Sequence, residues 1–261
     1  MSSSLVATQS ITGVPMHYCP GCEHGLLTRL VAATLDAMEL RTRAVMVDSV
    51  GCSVLAYRYL NIDHIQAPHG RAPAVMTGLK RYRPDLLVFT VQGDGDALAI
   101  GLSELLQTAN RGEAVTVFVV NNATYGMTGG QMAPTTLLGQ VTTTTPKGRD
   151  VRETGRPLDG AKLLAVIEGA AYVRRASLVP RPRVGKDAPS FRREDLEDAR
   201  RAVENAFKVQ LRGGFAYVEF LSTCWVNWRM SIQEAKRFAS TEMVRQFPLG
   251  VYRDVFGVEQ M

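Results

Sequence analysis

Two carboxylates flank one glycine in "VQGDGDALAIG", residues 91–101, a spacing suited to phosphate and metal chemistry. Gly93 and Gly95 allow a tight turn in which the backbone can approach a phosphate, and Asp94 is a hard oxygen donor of the kind Mg²⁺ prefers. About 25 residues later "NNATYG", residues 121–126, offers the amide oxygen of Asn122 as a second ligand and the carbonyl of Thr124 as a third. A helix starting near Ala97 would direct its N-terminus at the same point. Alone, "GDGD" reads more readily as a surface turn. Its pairing with two asparagines one crossover away favours a Mg²⁺-bridged diphosphate.

Cys19 and Cys22 lie in "MHYCPGCEHG", Cys52 in "SVGCSV" and Cys224 in "LSTCWVNW"; these are all the cysteines of the chain. A lone C-x-x-C fits a structural clip, a redox dithiol or part of a metal centre, and spacing alone does not group the four. His69, in "IQAPHGRAPAV", is either the first residue of a helix or a cofactor contact. Met127 and Met132 read as packing or as cavity lining, and Trp225 and Trp228 as the cover of a site or an interface.

These residues need elements that bring them together. Residues 23–39 have helical apolar spacing, and "RAVMVDSV" after them is a β-branched strand that ends just before Cys52. A helix is expected from Arg71 or Ala72 up to Pro84, then the strand "DLLVFTVQ", one crossover helix, and the strand "AVTVFVV" at 114–120. The nearly continuous apolar strands describe a βαβ unit in a parallel sheet covered on both faces. Residues 122–157, rich in Thr, Gly and Pro, read as a long functional loop. Beyond it come a helix near 159–170, a strand near "AYVRRASL", a charged helix at 192–211 and the strand "GFAYVEFLST", which runs into Cys224. Ligands of open parallel sheets collect beyond the carboxyl ends of strands, where Cys52, "GDGD" and Cys224 can therefore meet. The fold class is α/β, a mostly parallel sheet with helices on both faces.

A chain of 261 residues with 46% hydrophobic and 21% charged residues is long enough and apolar enough for one packed domain. The net charge of +5 is mild. Basic residues cluster at 174–201, "RRASLVPRPRVGKDAPSFRREDLEDARR", where Pro and Gly interruptions predict a solvated loop; without interleaved aromatics no nucleic-acid groove is expected. No signal peptide and no apolar run of membrane-spanning length are read, so the expected compartment is the cytoplasm, where thiols and metal ligands outnumber disulfides.

Taken in order, "HYCPGCEHG", "VGCSV", "IQAPHGRAPAV", "FTVQGDGD" and "NNATYGMTGGQMAPTT" resemble the β subunit of 2-oxoacid:ferredoxin oxidoreductases, densely over residues 16–145 and thinly on to "STCWVNW". The resemblance implies a thiamine diphosphate-binding domain over 16–230, between an N-terminal arm, 1–15, and a C-terminal tail, 231–261. It implies that Asp94, Asn122 and the Thr124 carbonyl hold Mg²⁺. Gly93, Gly95, Asp96, Gly126 and Met127 would line the diphosphate and thiazolium, while Val50, Gly51, Cys52 and Ser53 close over the cofactor with His69, the candidate catalytic residue. Cys19, Cys22, Cys52 and Cys224 would hold one [4Fe–4S] cluster. Where family members commonly carry Gly, this chain has Glu23, expected to face solvent.

The implied reaction is oxidative decarboxylation of a 2-oxoacid with coenzyme A, giving acyl-CoA, CO₂ and reduced ferredoxin. Leu55 falls where relatives that use dicarboxylates can carry a basic residue, which favours branched-chain substrates over 2-oxoglutarate or pyruvate. The chain is too short to hold a pyrimidine-binding domain as well, so a partner α subunit should supply it; γ and ferredoxin-like δ subunits are further partners of the family. Two rival readings are a non-oxidative thiamine diphosphate decarboxylase, which has no use for four thiolates, and a non-catalytic zinc-binding module, which leaves "GDGD" and "NN" unexplained.

Overall fold

The structure, a computed structural model, describes residues 9–180 and 193–260. Seven strands form one sheet: β1 (Ala44–Asp48), β2 (Asp63–Gln66), β3 (Leu87–Gly93), β4 (Thr116–Asn121), β5 (Ala170–Ser177), β6 (Phe215–Leu221) and β7 (Gly250–Asp254). Their spatial order is β2-β1-β3-β4-β6-β5-β7. All neighbours are parallel except β7, which runs antiparallel to β5.

Alternation along the strands builds two cores. Phe118 and Val120 of β4 face the helix α1 (His24–Ala37) and the long helix Arg193–Leu211, joining Leu27, Leu35, Phe89, Phe207 and Phe220. Phe89, Phe118 and Phe207 meet edge to face, with ring centroids 5.4–6.2 Å apart. Val117 and Val119 point the other way, onto Met76 of α2 (Ala72–Tyr82) and Leu105 of α3 (Leu102–Asn110). Both faces are covered, as the apolar strand runs require.

The chain leaves β1 toward β2 on one side, then crosses back to β3 on the other. The connections after β1 and β3 therefore diverge, and a crevice opens between the carboxyl ends of these two strands, the place where open α/β sheets bind ligands.

Several expectations change. The single crossover helix is broken: Asp96–Ile100 forms a π-turn, closed by the Gly101 N–H donating to the Asp96 carbonyl at 2.8 Å, before α3 begins. Arg174 and Arg175, read as solvated, lie in β5 and are buried. Arg175 is held by Asp159 and Glu219 and stacks over Phe247 and Tyr252, and Arg174 is held by Asp198 and Glu259, so each buried charge is paired. Of the remaining basic cluster, 181–192 lies outside the described residues, and Arg193 onward is helical. Residues 231–261, expected as a tail, carry the helix Ile232–Phe238 and add β7 to the sheet. Of the arm, residues 1–8 lie outside the described residues; Ser10 donates its hydroxyl to Asp36 at 2.5 Å and Ile11 bridges to Leu60. Among the described residues no helix is long and apolar enough to cross a membrane.

Candidate cofactor and cysteine site

The crevice between β1 and β3 is lined by Val50, Gly51, Cys52, His69, Gly93, Asp94, Gly95, Asp96, Asn122, Thr124, Gly126 and Met127, together with His24, Tyr125 and Thr128. Every residue expected to contact the diphosphate, its metal or the thiazolium is there except Ser53. That side chain is buried and donates to the Val91 carbonyl at 2.7 Å, pinning the 50–53 turn onto β3. Leu55, the expected substrate residue, precedes the short helix Ala56–Arg58 and lines neither this cavity nor the one beside it.

Asp94 and Asp96 are both 2% exposed, which excludes a surface turn. Asp94 accepts from the Gly95 N–H at 2.9 Å and from the Thr135 hydroxyl, and burial pushes its carboxyl up to about 7. A cation at this carboxylate would reverse that shift. Asn122 Oδ1 accepts from the Thr124 N–H at 3.3 Å, and the Trp228 indole fixes the Asn122 carbonyl at 3.1 Å. The Tyr125 ring lies over Gly95: a Cβ there would stand 2.2 Å from the ring, so only glycine fits. Among the described residues no lysine or arginine lines the cavity, so a diphosphate held by these residues would need a cation for charge compensation. Asp96, expected to line the diphosphate, has both oxygens taken by protein donors: Ser49, His69, Gln92 at 2.5 Å and the Gly70 N–H at 2.6 Å. Ser49, Gln92 and Thr135 were not singled out from the sequence, because their roles depend on a carboxylate that only folding brings to them. Tyr125 and His24 lay inside motifs already quoted.

A second cavity, about 360 Å³, adjoins the first and is lined by Cys19, Cys22, Cys52 and Cys224 with His17, Tyr18 and Trp225. Cys19 and Cys22 sit in a turn closed by the Cys22 N–H on the Cys19 carbonyl at 2.9 Å. Gly21 takes a φ of +82°, as the third residue of a Pro-Gly type II turn does. A Cβ on Gly126 would touch Cys224 Sγ at 3.4 Å and Cys52 Sγ at 3.5 Å, so these two sulfurs flank one glycine. Each of the four thiols lies within electrostatic reach of others in the set. Burial is the main cause that raises three of them, Cys22 to about 12 and Cys52 to about 11, with Cys224 also raised. His24, fully enclosed, is pushed down to about 4 by burial and places Nδ1 3.1 Å from Cys22 Sγ.

Glu23 does not face solvent. It is 4% exposed, and its Oε2 accepts from the Ser222 hydroxyl at 3.0 Å and from the Thr223 N–H and hydroxyl at 2.8 and 2.7 Å. The side chain thus ties the segment after Cys22 to the segment before Cys224. Trp225 donates its indole N–H to the Pro20 carbonyl at 3.0 Å, a second tie between the same two segments. Trp228 is buried in a small apolar cluster instead. Met127 is 52% exposed and lines both cavities, so it is not core packing.

Larger hollows lie elsewhere. One of about 560 Å³ lies between Leu137–Val141 and Trp228, and one of about 680 Å³ lies beside Arg174 and Arg175, whose charges are already paired. Neither gathers a donor set like that of the carboxyl edge.

Residues 49–220 match the family described as "Thiamine pyrophosphate enzyme, C-terminal TPP binding domain". The chain is 46% identical over 239 residues to the ketoisovalerate oxidoreductase subunit VorA of Methanothermobacter thermautotrophicus, covering 91% of this chain and 48% of that protein. It thus spans about half the length of that relative. It is 42% identical to the 2-oxoglutarate synthase subunit KorB of Archaeoglobus fulgidus, covering 83% of this chain and 73% of that one. The fold is shared with a solved 2-oxoglutarate:ferredoxin oxidoreductase from Magnetococcus marinus, at a TM-score of 0.74 and 24% identity, over 94% of this chain and 83% of that one. With the crevice, the ordered motifs and these relatives in agreement, the chain belongs to the 2-oxoacid:ferredoxin oxidoreductase family, among its thiamine diphosphate-binding β subunits.

Proposed function

We propose that this chain forms half of the active site of a cytoplasmic enzyme that decarboxylates a 2-oxoacid, transfers the acyl group to coenzyme A and reduces ferredoxin. One observation carries the reading. The crevice and the cysteine cavity share a wall made of His24, Cys52, Asn122, Gly126 and Met127, so a group oxidised in one lies against an acceptor in the other. Bound thiamine diphosphate would supply the chemistry that releases CO₂, and an iron–sulfur cluster would accept the electrons one at a time.

The residues fit these groups. Asp94, Asn122 and the Thr124 carbonyl would hold Mg²⁺, an all-oxygen set suited to a hard cation. Gly93, Gly95 and Gly126 would let the backbone approach the diphosphate, Val50, Gly51 and Cys52 would cover it, and His69 lines the same crevice. Cys19, Cys22, Cys52 and Cys224 would hold a [4Fe–4S] cluster. Among the described residues no group of three or more His, Cys, Asp or Glu side chains is gathered closely enough for a single ion. Tetrahedral zinc would take the same four thiolates, so metal and sulfide analysis decides between the two.

The crevice measures about 90 Å³, well below the several hundred that enclose a small-molecule ligand. A partner α subunit with a pyrimidine-binding domain would complete it and supply the carboxylate that activates the aminopyrimidine; further small subunits would carry electrons onward. The 46% identical relative named for ketoisovalerate favours a branched-chain 2-oxoacid, and the relatives named for 2-oxoglutarate make that the substrate to test beside it.

The test is anaerobic purification of the complex containing this chain, followed by coenzyme A-dependent ferredoxin reduction with 2-oxoisovalerate, 2-oxoglutarate and pyruvate. Expected are about four irons and four sulfides for each copy of this chain, a brown chromophore, and the highest kcat/KM with 2-oxoisovalerate. A colourless protein containing zinc would overturn the cluster. Decarboxylation without ferredoxin reduction would point to a non-oxidative enzyme.

A further inference from the structure

The second carboxylate of "GDGD" touches neither metal nor phosphate in the scheme above, yet it is the most densely bonded side chain of the crevice. Asp96 begins the π-turn after β3 and is 2% exposed. One oxygen accepts from the Gly70 N–H at 2.6 Å and from His69 Nδ1; the other accepts from the Ser49 hydroxyl and from Gln92 Nε2 at 2.5 Å. Two of these donors, a backbone N–H and an amide NH₂, cannot accept a proton, so Asp96 must meet them with lone pairs. Gln92 makes this contact although its own Oε1 is left buried without a partner. The donors come from the ends of β1 and β3 and from the turn before α2, the segments that frame the crevice.

Steric contact fixes the same turn. A Cβ on Gly70 would stand 2.6 Å from the Gly101 nitrogen, and one on Gly101 would stand 2.4 Å from the Gly70 carbonyl. The His69 turn is therefore locked against the end of the π-turn. Only the imidazole has a free edge: the His69 side chain is 33% exposed and lines the crevice.

We infer that Asp96 is a positioning residue that holds His69 with the proton on Nδ1, so that Nε2 faces the cofactor crevice as a hydrogen-bond acceptor. Gly70 and Gln92 can only donate to Asp96, and with the Ser49 hydroxyl and Nδ1–H as the other donors each of its oxygens meets two; the ring atom on the far side then keeps its lone pair. The acceptor is thereby aimed at an N–H or O–H donor of the bound cofactor or substrate. His69 becomes a catalytic residue by contact, and Asp96 acts only through it.

This inference rests on the cofactor reading above, and the experiment separates the two. In the complete complex, His69→Leu, Asp96→Asn and the double variant are compared for thiamine diphosphate affinity, KM and kcat. Each single variant is expected to lower kcat by about 100-fold or more, with cofactor affinity and KM within a few-fold of wild type. The double variant should be no worse than either single one, because both substitutions remove the same acceptor. Diethyl pyrocarbonate should modify His69 in the cofactor-free complex, and thiamine diphosphate with Mg²⁺ should protect it. Losses that multiply in the double variant would reduce Asp96 to a structural brace and overturn its role. If Asp96→Asn does not assemble, His69→Leu alone still decides: wild-type kcat, or labelling indifferent to cofactor, overturns the inference. A wild-type complex that binds no thiamine diphosphate overturns the cofactor reading instead.

Discussion

The crevice and the cysteine cavity share a wall, yet they are held in opposite ways. On the crevice side, Asp96 gathers donors from three segments, the Tyr125 hydroxyl donates to the Gly95 carbonyl at 3.2 Å, and glycines at 70, 95 and 101 let backbone and ring pack where no Cβ could. Its shape is set by bonds internal to the protein. On the cysteine side, four thiols from three distant segments face one cavity, and burial raises Cys22, Cys52 and Cys224. The Glu23 and Trp225 ties and Asn227, which donates to the Gly126 carbonyl at 2.7 Å, hold its walls, and a shared ligand would draw the four thiols together. If the proposed groups bind, the crevice should keep its shape without thiamine diphosphate, and the cysteine side should loosen without a cluster.

The sharpest break in this contrast comes from the cysteines. Cys224→Ser and Cys19→Ser, about 200 residues apart, should each abolish the brown chromophore and ferredoxin reduction, while thiamine diphosphate affinity stays within a few-fold of wild type. Iron analysis, visible spectra and calorimetry read these separately. Full iron in Cys224→Ser would mean that the fourth ligand lies elsewhere. Next in size is Asp94→Ala, expected to weaken thiamine diphosphate binding by more than about 100-fold, because it removes the charge that would meet Mg²⁺. Thr135→Val, which deletes only the hydroxyl steadying that carboxylate, should cost about 10-fold. Asp94 is buried and not in a solvated turn, so denaturant unfolding must accompany the binding measurement. Wild-type affinity in Asp94→Ala would remove the metal from this position.

Much of the contrast was legible in the sequence, and what was not has one cause. Long apolar runs marked β1, β3, β4, β5 and β6, and motif order placed Cys52, Asp94, Asn122 and Cys224 at one edge. The strands that escaped notice, β2 and β7, lie at the two edges of the sheet, where polar residues, the exposed Asp63 and Gln66 and the half-buried Arg253 and Asp254, interrupt any apolar signal. Charged residues were misplaced when their partners were remote. Arg175 reads as solvated until Glu219 is opposite, and Glu23 reads as solvated until Ser222 and Thr223 arrive from 199 and 200 residues away. Periodicity reports burial of apolar groups; it is silent about a charge that folding will satisfy.

Glu23 sharpens the comparison because it is the main protein-made tie on the loosely held side. Glu23→Ala removes the acceptor of a buried N–H and two hydroxyls and should destabilise the chain by about 1–3 kcal/mol, read as a lower denaturation midpoint. Glu23→Gln keeps an oxygen for those donors and should recover most of the loss. Both variants should keep thiamine diphosphate affinity, since the crevice does not depend on the tie, but Glu23→Ala should lose iron faster on exposure to a chelator. Equal iron retention in the two variants would show that the Glu23 tie does not hold the cysteine side.

The smallest effect is expected at Leu55. Its resemblance to a position that is basic in relatives using dicarboxylates suggests that it helps exclude 2-oxoglutarate, and an apolar side chain cannot pair a second carboxylate. Leu55 caps the Ala56–Arg58 helix and lines neither cavity, three residues along the chain from Cys52. Because Leu55 lines neither cavity, Leu55→Lys is expected to change the ratio of kcat/KM for 2-oxoglutarate over 2-oxoisovalerate by no more than about twofold, a difference near 0.4 kcal/mol. A rise of tenfold or more would put substrate selection in this chain. An unchanged ratio would assign selection to the partner, leaving this chain to hold the diphosphate and receive the electrons.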